Sequence, residues 1–352
     1  MLINSFHSAV SAKVKVMYGN RIKSEDYSKL LKKKYVSEIV AFLADSSGYE
    51  KAFSQLDPRY IHRNHIELIL KKELYNDYLK LIRFSQKGDK RLLQLLFTKY
   101  EIDELLSFLR YLKSERAKDF ILTAPKYIIE NSNIDFNALS KSKSFEEFLN
   151  NIKNTAYYKI LKKCDFNSND AFSKCESMLY SNFYACAFKI AKEQSGDIHK
   201  SIKAFIGMRV DMLNIIYILR LKKYYKSDSE EIRIHIIPYN YKISKTVLNE
   251  MITAKDTDSV FEIISKTYYG KYFKSQKIAF ADEYLYRLMY EISKKNITYG
   301  APSVLIPISY LTLKEIEIKD LITITEGKRY SLSNEEINRS LIGKEENTKQ
   351  VI

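Results

Sequence analysis

The pattern of apolar and polar positions is helical wherever it is clear. From Ile102 the apolar side chains fall at Ile102, Leu105, Leu106, Leu109 and Leu112, the i, i+3, i+4, i+7 stripe of a helix with one buried face. The stretch from Met212 to Leu219 is apolar nearly all round, which predicts a helix buried on every side. Ser333 and Glu336, just ahead of Ile337, make the capping-box start of a short last helix. Period-two alternation is weak. Ile232–Ile236 reads as a short connecting strand, whereas Lys314–Ile318 sits better on a helix.

Composition strengthens the helical reading. Nine glycines and five prolines in 352 residues leave little material for turns and hairpins, so the expected class is all-α. That length exceeds the usual single core and points to two or three domains. The chain has 28 Tyr and 18 Phe but no Trp, so many tyrosines are expected at core edges, ring inward and hydroxyl outward.

Two local patterns recur in the same order. The first is an apolar helix running into a tyrosine turn. Ile152-x-x-Thr155-x-Tyr157-x-Lys159 is matched by Ile264-x-x-Thr267-x-Tyr269-x-Lys271, and more loosely by Leu43 followed by Ser47-x-Tyr49-x-Lys51. The second is an acid, an apolar residue, any residue, a polar or acidic residue, then two apolar residues. It reads Glu101-Ile102-Asp103-Glu104-Leu105-Leu106, then Asp211-Met212-Leu213-Asn214-Ile215-Ile216, then Glu317-Ile318-Lys319-Asp320-Leu321-Ile322. Arg110 and Arg220 each follow their acid by nine residues, where the third copy has Glu326. Each pattern alone is common in helices. Their shared order and near-constant spacing of about 110 residues predict a threefold repeat. Pro125 and Pro238 stand where helices should stop, giving expected units of 1–122, 123–236 and 237–352.

Residues i and i+3 share a helix face, so Asp211 and Asn214 together could grip a neighbouring backbone or an arginine. The alternative is that they hydrogen-bond the loop joining two helices within each unit. The second reading is favoured, because a feature present in every copy points to architecture.

The formal charge of +15 suits an anionic partner, whether nucleic acid, acidic lipid head groups or an acidic protein surface; it equally suits a solvated lysine-rich face. Runs such as Lys32-Lys33-Lys34 are short and fall within helical periodicity, so nucleic acid gains no specific support. Cys164, Cys175 and Cys186 are an odd set without CxxC spacing, which argues against a disulfide framework or zinc site and for buried, reduced thiols. Their spacing of eleven would align them on one helix, but the Asn167–Asp170 cluster should break any helix between the first two. No phosphate-cradling glycine loop is present. His62 and His65, with Glu67 nearby, could offer metal ligands from one helix face, but a third ligand at proper spacing is lacking and Arg63 would oppose a cation. His7, His199 and His235 stand apart from any nucleophile motif. No catalytic, cofactor-binding or metal-binding residue is therefore assigned. With no secretory signal and no apolar run near the ~18 residues of a membrane span, a cytosolic location is expected.

The C-terminal stretch Tyr310-Leu311-Thr312-Leu313-Lys314-Glu315-Ile316-Glu317-Ile318-Lys319-Asp320-Leu321, with Glu326-Gly327-Lys328 and Glu335-Glu336-Ile337 after it, resembles the C subunit of bacterial and archaeal V/A-type rotary ATPases, the relative of the d subunit of the eukaryotic V-ATPase. Lys99–Arg110 and Asp211–Arg220 resemble its first and second repeats. The asparagine usual after the acid is kept only at Asn214; Glu104 and Asp320 stand at the other two positions. The resemblance implies three similar helical domains arranged as a pseudo-threefold funnel. It implies a non-catalytic rotor part, without cofactor, in the central stalk on the cytoplasmic face of the membrane. Its partners would be the central shaft subunits and the membrane rotor (proteolipid) ring, with acidic lipid head groups at the ring side and no nucleic acid. A basic helical scaffold for nucleic acid is the alternative from another class.

Overall fold

The computed structural model describes residues 2–45, 48–54, 56–57, 63–85, 87–166, 171–194 and 196–344. Among the described residues, three pairs of long helices stand out: Arg63–Phe84 with Lys87–Lys113, Ala171–Lys192 with Gly196–Arg220, and Ala281–Tyr299 with Leu305–Arg329. The second member of each pair carries one copy of the acidic pattern and is called an acid helix below. Short helices fill the intervals. Phe136–Leu139 and Phe145–Asn151 follow the first acid helix, and Lys245–Thr253 and Thr257–Ser265 follow the second. Their counterparts for the third, Ser24–Lys32 and Val36–Ala44, lie at the start of the chain.

No described residue is in a strand. The strand expected at Ile232–Ile236 is instead the helix Ser229–His235. A capping box decides it: the Asp228 side chain accepts from the Glu231 N–H while the Glu231 carboxylate accepts from the Asp228 N–H. One turn of helix then buries Ile232 and leaves Ile234 exposed. The capping box at Ser333 and Glu336 does start the helix Asn334–Arg339. Lys314–Ile318 lies inside the helix Leu305–Arg329.

Contacts divide the chain into two compact units, Met1–Asp89 with Tyr286–Ile352, and Lys90–Leu285. In the first, the acid helix Leu305–Arg329 is buried on nearly every face, packed against Leu2–Gly19, Val36–Ala44 and Arg63–Phe84. In the second, an aromatic cluster forms the centre of the core around the first acid helix. Phe108 stacks on Phe148 at 5.7 Å and meets the Phe120 ring edge-on at 5.4 Å. Pro125 and Pro238 do mark helix stops: the preceding helices end at Thr123 and His235. The Asn167–Asp170 cluster lies outside the described residues.

Three tyrosines depart from the core-edge pattern. Tyr27, Tyr49 and Tyr269 are buried to the hydroxyl, and each hydroxyl donates to a buried carboxylate. A phenol can be submerged completely when its single O–H has an acceptor waiting. The thiols also differ from expectation. Cys175 is buried and Cys164 half-buried, but Cys186 is exposed. Cys175 and Cys186 share a face of the helix Ala171–Lys192, since eleven residues come within about 20° of three full turns. What covers them differs: Cys175 has Cys164 against it, whereas Cys186 opens on a surface cleft.

Candidate functional site

The tyrosines and acids of the two repeated patterns meet in three pairs. The Tyr269 hydroxyl donates to Asp211 Oδ2 at 2.8 Å, and the Tyr157 hydroxyl to Glu101 Oε2 at 2.8 Å. The third pair joins opposite ends of the chain: the Tyr49 hydroxyl donates to Glu317 Oε1 at 2.7 Å. Each acid thus holds the tyrosine that comes after it along the chain, and the last acid closes on the first tyrosine. The limits expected at 122/123 and 236/237 separate Glu101 from Tyr157 and Asp211 from Tyr269.

Each acid also holds the loop that leads into the short helices. Asp211 accepts the backbone N–H groups of Tyr241, Lys242 and Ile243 at 2.9, 2.6 and 3.1 Å. Glu317 accepts the Ile22 N–H at 2.7 Å. Glu101 accepts the Ser132 hydroxyl, whose oxygen in turn accepts the Ile134 N–H. Ile22, Ile134 and Ile243 are all buried, and each stands immediately before the residue that caps the first short helix of its copy. One carboxylate therefore fixes two points of the segment after its helix: the entry to the short helices and the tyrosine turn at their end.

Glu317 has a further partner. Lys314 Nζ donates to Oε1 at 2.8 Å and lies 3.8 Å from the centroid of the Tyr49 ring. Both Lys314 and Glu317 are buried, so the ion pair, the phenol and the ring face together offset the cost of taking two charges out of water.

The residue three positions on does related work. The Asn214 side chain accepts the Ile237 N–H at 2.9 Å and donates to the Ile237 and Tyr239 carbonyls. Asp320 accepts the N–H groups of Ile342 and Gly343 and the Tyr27 hydroxyl. Asn214 and Asp320 both hold chain that returns 22 to 25 residues downstream. Glu104 is half-buried on the first acid helix. The two arginines act elsewhere: Arg110 covers the Phe172 ring at 4.6 Å, and Arg220 pairs with Asp282 at 2.8 Å. Phe172 and Asp282 are each the second residue of their long helices, so the two contacts are equivalent.

Burial governs the ionisation of this network. The Asp211 carboxyl is pushed up from its ordinary range by burial, against the three N–H groups and the Tyr269 hydroxyl that favour its anion. Burial pushes Asp320 up to about 6, opposed by the Ile342 and Gly343 N–H groups. Burial first, then the facing carboxylate, raises the Tyr49 and Tyr269 hydroxyls far above the usual phenol range. Each phenol stays a donor. The arrangement supplies fixed donors to fixed acceptors and no activated nucleophile. Among the described residues no group of three or more His, Cys, Asp and Glu side chains could hold a metal ion. His62 lies outside the described residues, and His65 is exposed. His7 pairs with Asp89 at 2.7 Å, while His199 contacts the Ala191 carbonyl at 2.8 Å.

Comparison with known proteins decides the family. The model of the family described as ATP synthase (C/AC39) subunit matches residues 10–340. The chain belongs to that family. Among its relatives, the C subunit of the A-type ATP synthase of Archaeoglobus fulgidus is 26% identical over 344 residues, covering 95% of each chain. The corresponding subunit of Methanosphaera stadtmanae is 25% identical, with 94% of this chain and 86% of the relative covered. That of Pyrococcus furiosus is 22% identical, with 90% and 85% covered. Among the described residues no helix is long and apolar enough to cross a membrane.

Sequence reasoning missed two regularities of this C/AC39 chain. The first is the buried isoleucine before each cap, at Ile22, Ile134 and Ile243, spaced 112 and 109 residues apart. A hydrophobic residue just before a helix cap is a legible signal. The second is the end of each acid helix. Glu115, Lys226 and Ser331 all adopt the left-handed conformation, with φ of 58, 54 and 56°. The Arg116 N–H donates to the Tyr111 carbonyl and the Leu332 N–H to the Gly327 carbonyl, the long bond of a Schellman cap. In the second copy the Ser227 N–H reaches one residue further, to the Leu221 carbonyl, around the π turn Leu221–Tyr225. That turn absorbs the one extra residue between Asp211 and its cap. Sequence hid this repeat because none of the three left-handed residues is glycine.

Proposed function

We propose that this chain is the non-catalytic central-stalk subunit of a V/A-type ATPase, coupling the central shaft to the membrane rotor ring during ATP-linked proton or sodium transport. The observation that carries the reading is the family match over residues 10–340, in a chain whose repeated polar groups tie helices to one another. A coupling part must transmit torque without yielding at its joints. Loops are the compliant points of a helical protein, and here buried carboxylates fix the loop and the turn after each acid helix. In this proposal each structural copy runs from an acid helix through the tyrosine turn it holds. The third copy is closed by the start of the chain, and the three stand as similar helical domains in a pseudo-threefold funnel. Tyr49, Tyr157, Tyr269, Glu101, Asp211 and Glu317 are then the equivalent joints of the three.

The shaft tip would dock in the socket of the three copies, burying on the order of 1,000–2,000 Å². On the cytoplasmic side of the membrane, the lysine-rich surface would meet ring loops and acidic lipid head groups. That contact should weaken as salt rises, because exposed charges are screened over ~8 Å at physiological ionic strength. Washing native membranes with increasing salt tests the arrangement: release of this chain is expected to bring the shaft away with it. Release of this chain alone, with the shaft still on the ring, would refute the coupling role.

A further inference from the structure

Two thiols of Lys90–Leu285 sit in contact without being joined. Cys164 follows the short helix Ala156–Leu161, which carries Tyr157; Cys175 lies one turn inside the long helix Ala171–Lys192. Their sulfurs are 2.8 Å apart, well inside ordinary non-bonded contact and under 1 Å from the ~2.05 Å of a disulfide. Cys164 Sγ also lies 3.5 Å from the Ala171 carbonyl, so the sulfur is held against the first turn of the long helix. Phe166, two residues on, stacks on Phe145 with centroids 4.4 Å apart and rings 2° from parallel, which fixes this stretch on the core. The sulfurs need to close by less than 1 Å for a bond to form.

We propose that Cys164 and Cys175 are a site of reversible oxidative cross-linking, closing an intramolecular disulfide on exposure to a peroxide. Accessibility sets the order of events: Cys164 is half-buried and Cys175 buried, so Cys164 meets the oxidant first. The Cys164 thiolate attacks one peroxide oxygen, the O–O bond breaks, and the departing hydroxide leaves as water after taking up the proton Cys164 released. Cys164 is now a sulfenic acid. The Cys175 sulfur attacks it, the S–O bond breaks, and the Cys175 proton leaves with the hydroxyl as a second water. Two thiols lose two electrons to one peroxide. The hydrogen bond to the Cys164 sulfur, and after it burial, raise the Cys175 thiol, consistent with its acting second. The product staples the tyrosine turn that holds Glu101 to the neighbouring long helix. A thiol reductant reverses it.

The test uses the full chain with Cys186→Ser, which removes the exposed thiol. Reduced protein is treated with sub-millimolar hydrogen peroxide, quenched by alkylation, and mapped by non-reducing peptide mass spectrometry. The expected result is a Cys164–Cys175 linked peptide lacking two hydrogens and lost on reduction. The thermal midpoint is expected to rise by roughly 5–10 °C for a loop of this size. Cys164→Ser and Cys175→Ser, each added separately, should abolish the linked peptide and the rise. Alkylated Cys164 and Cys175 in native protein after peroxide, alongside efficient linkage only when the chain is unfolded in urea, would overturn the proposal. So would a linked peptide that forms between molecules rather than within one.

Discussion

Tyr269→Phe is the smallest change that tests whether the tyrosine–acid pairs hold this protein together. It deletes one oxygen, and with it the 2.8 Å bond to Asp211 Oδ2, while Asp211 keeps its three backbone N–H donors. A hydrogen bond to a charged acceptor contributes about 1.5–3 kcal/mol. Asp211→Ala removes far more: three loop N–H groups and the Tyr269 hydroxyl lose their acceptor together, at about 1–3 kcal/mol for each donor left buried without one. The double variant should cost less than the sum of the two, because the phenol has nothing left to lose once the carboxylate is gone. For a unit of this size, 1.5–3 kcal/mol corresponds to a drop in midpoint of about 3–12 °C. Urea and thermal unfolding followed by circular dichroism give the three values. Hydrogen exchange at Tyr241, Lys242 and Ile243 adds a local readout: these amides should lose protection strongly in Asp211→Ala and weakly in Tyr269→Phe. A Tyr269→Phe loss below about 0.5 kcal/mol, or strict additivity in the double variant, would refute the reasoning.

Asn214→Leu should destabilise by ~1–3 kcal/mol, since Asn214 satisfies the buried Ile237 N–H and carbonyl, and should not selectively abolish assembly with partners; unchanged stability with lost assembly would reverse that assignment. Gly327→Ala places a Cβ 2.4 Å from Ile337 Cγ1 and is expected to cost ~1–3 kcal/mol in urea unfolding by pushing the last helix outward. Asp320 sits at about 6 in the fold against 3.8 for the ordinary group, so the folded state binds the extra proton between those values. Its contribution is therefore fully present below about pH 4 and is lost as pH rises through about 6, by at most ~3 kcal/mol. Asp320→Asn should flatten that part of the urea-midpoint profile between pH 4 and 6.5, and an unchanged slope would remove Asp320 as its cause. Purified alone, the chain should show no saturable ATP binding, as measured by calorimetry, because it lacks a phosphate-cradling loop.

Much of this was legible in the sequence because helical periodicity and capping are local. The stripe from Ile102 to Leu112, the all-round apolar stretch at Met212 and the Ser333–Glu336 box each became the helix expected. Ile232–Ile236 misled for an equally local reason: alternation over five residues fits one exposed turn of helix, and the deciding signal was the Asp228–Glu231 cap just upstream. The repeated tyrosines and acids were visible as patterns, but their pairing was not. Glu317 and Tyr49 lie 268 residues apart, and no local rule says that the last acid closes on the first tyrosine. The Cys164–Cys175 contact was hidden too, because a helix break was expected between them but no local rule says where the chain goes after it.

The most direct test of the coupling role is to deplete this chain from cells and assay their membranes for ATP hydrolysis and ATP-driven ion transport together. The account predicts that the catalytic head, recovered from the same cells, still hydrolyses ATP while the membranes no longer transport ions, and that adding back the purified chain restores transport. Undiminished ATP-driven transport in membranes shown to lack the chain would contradict it.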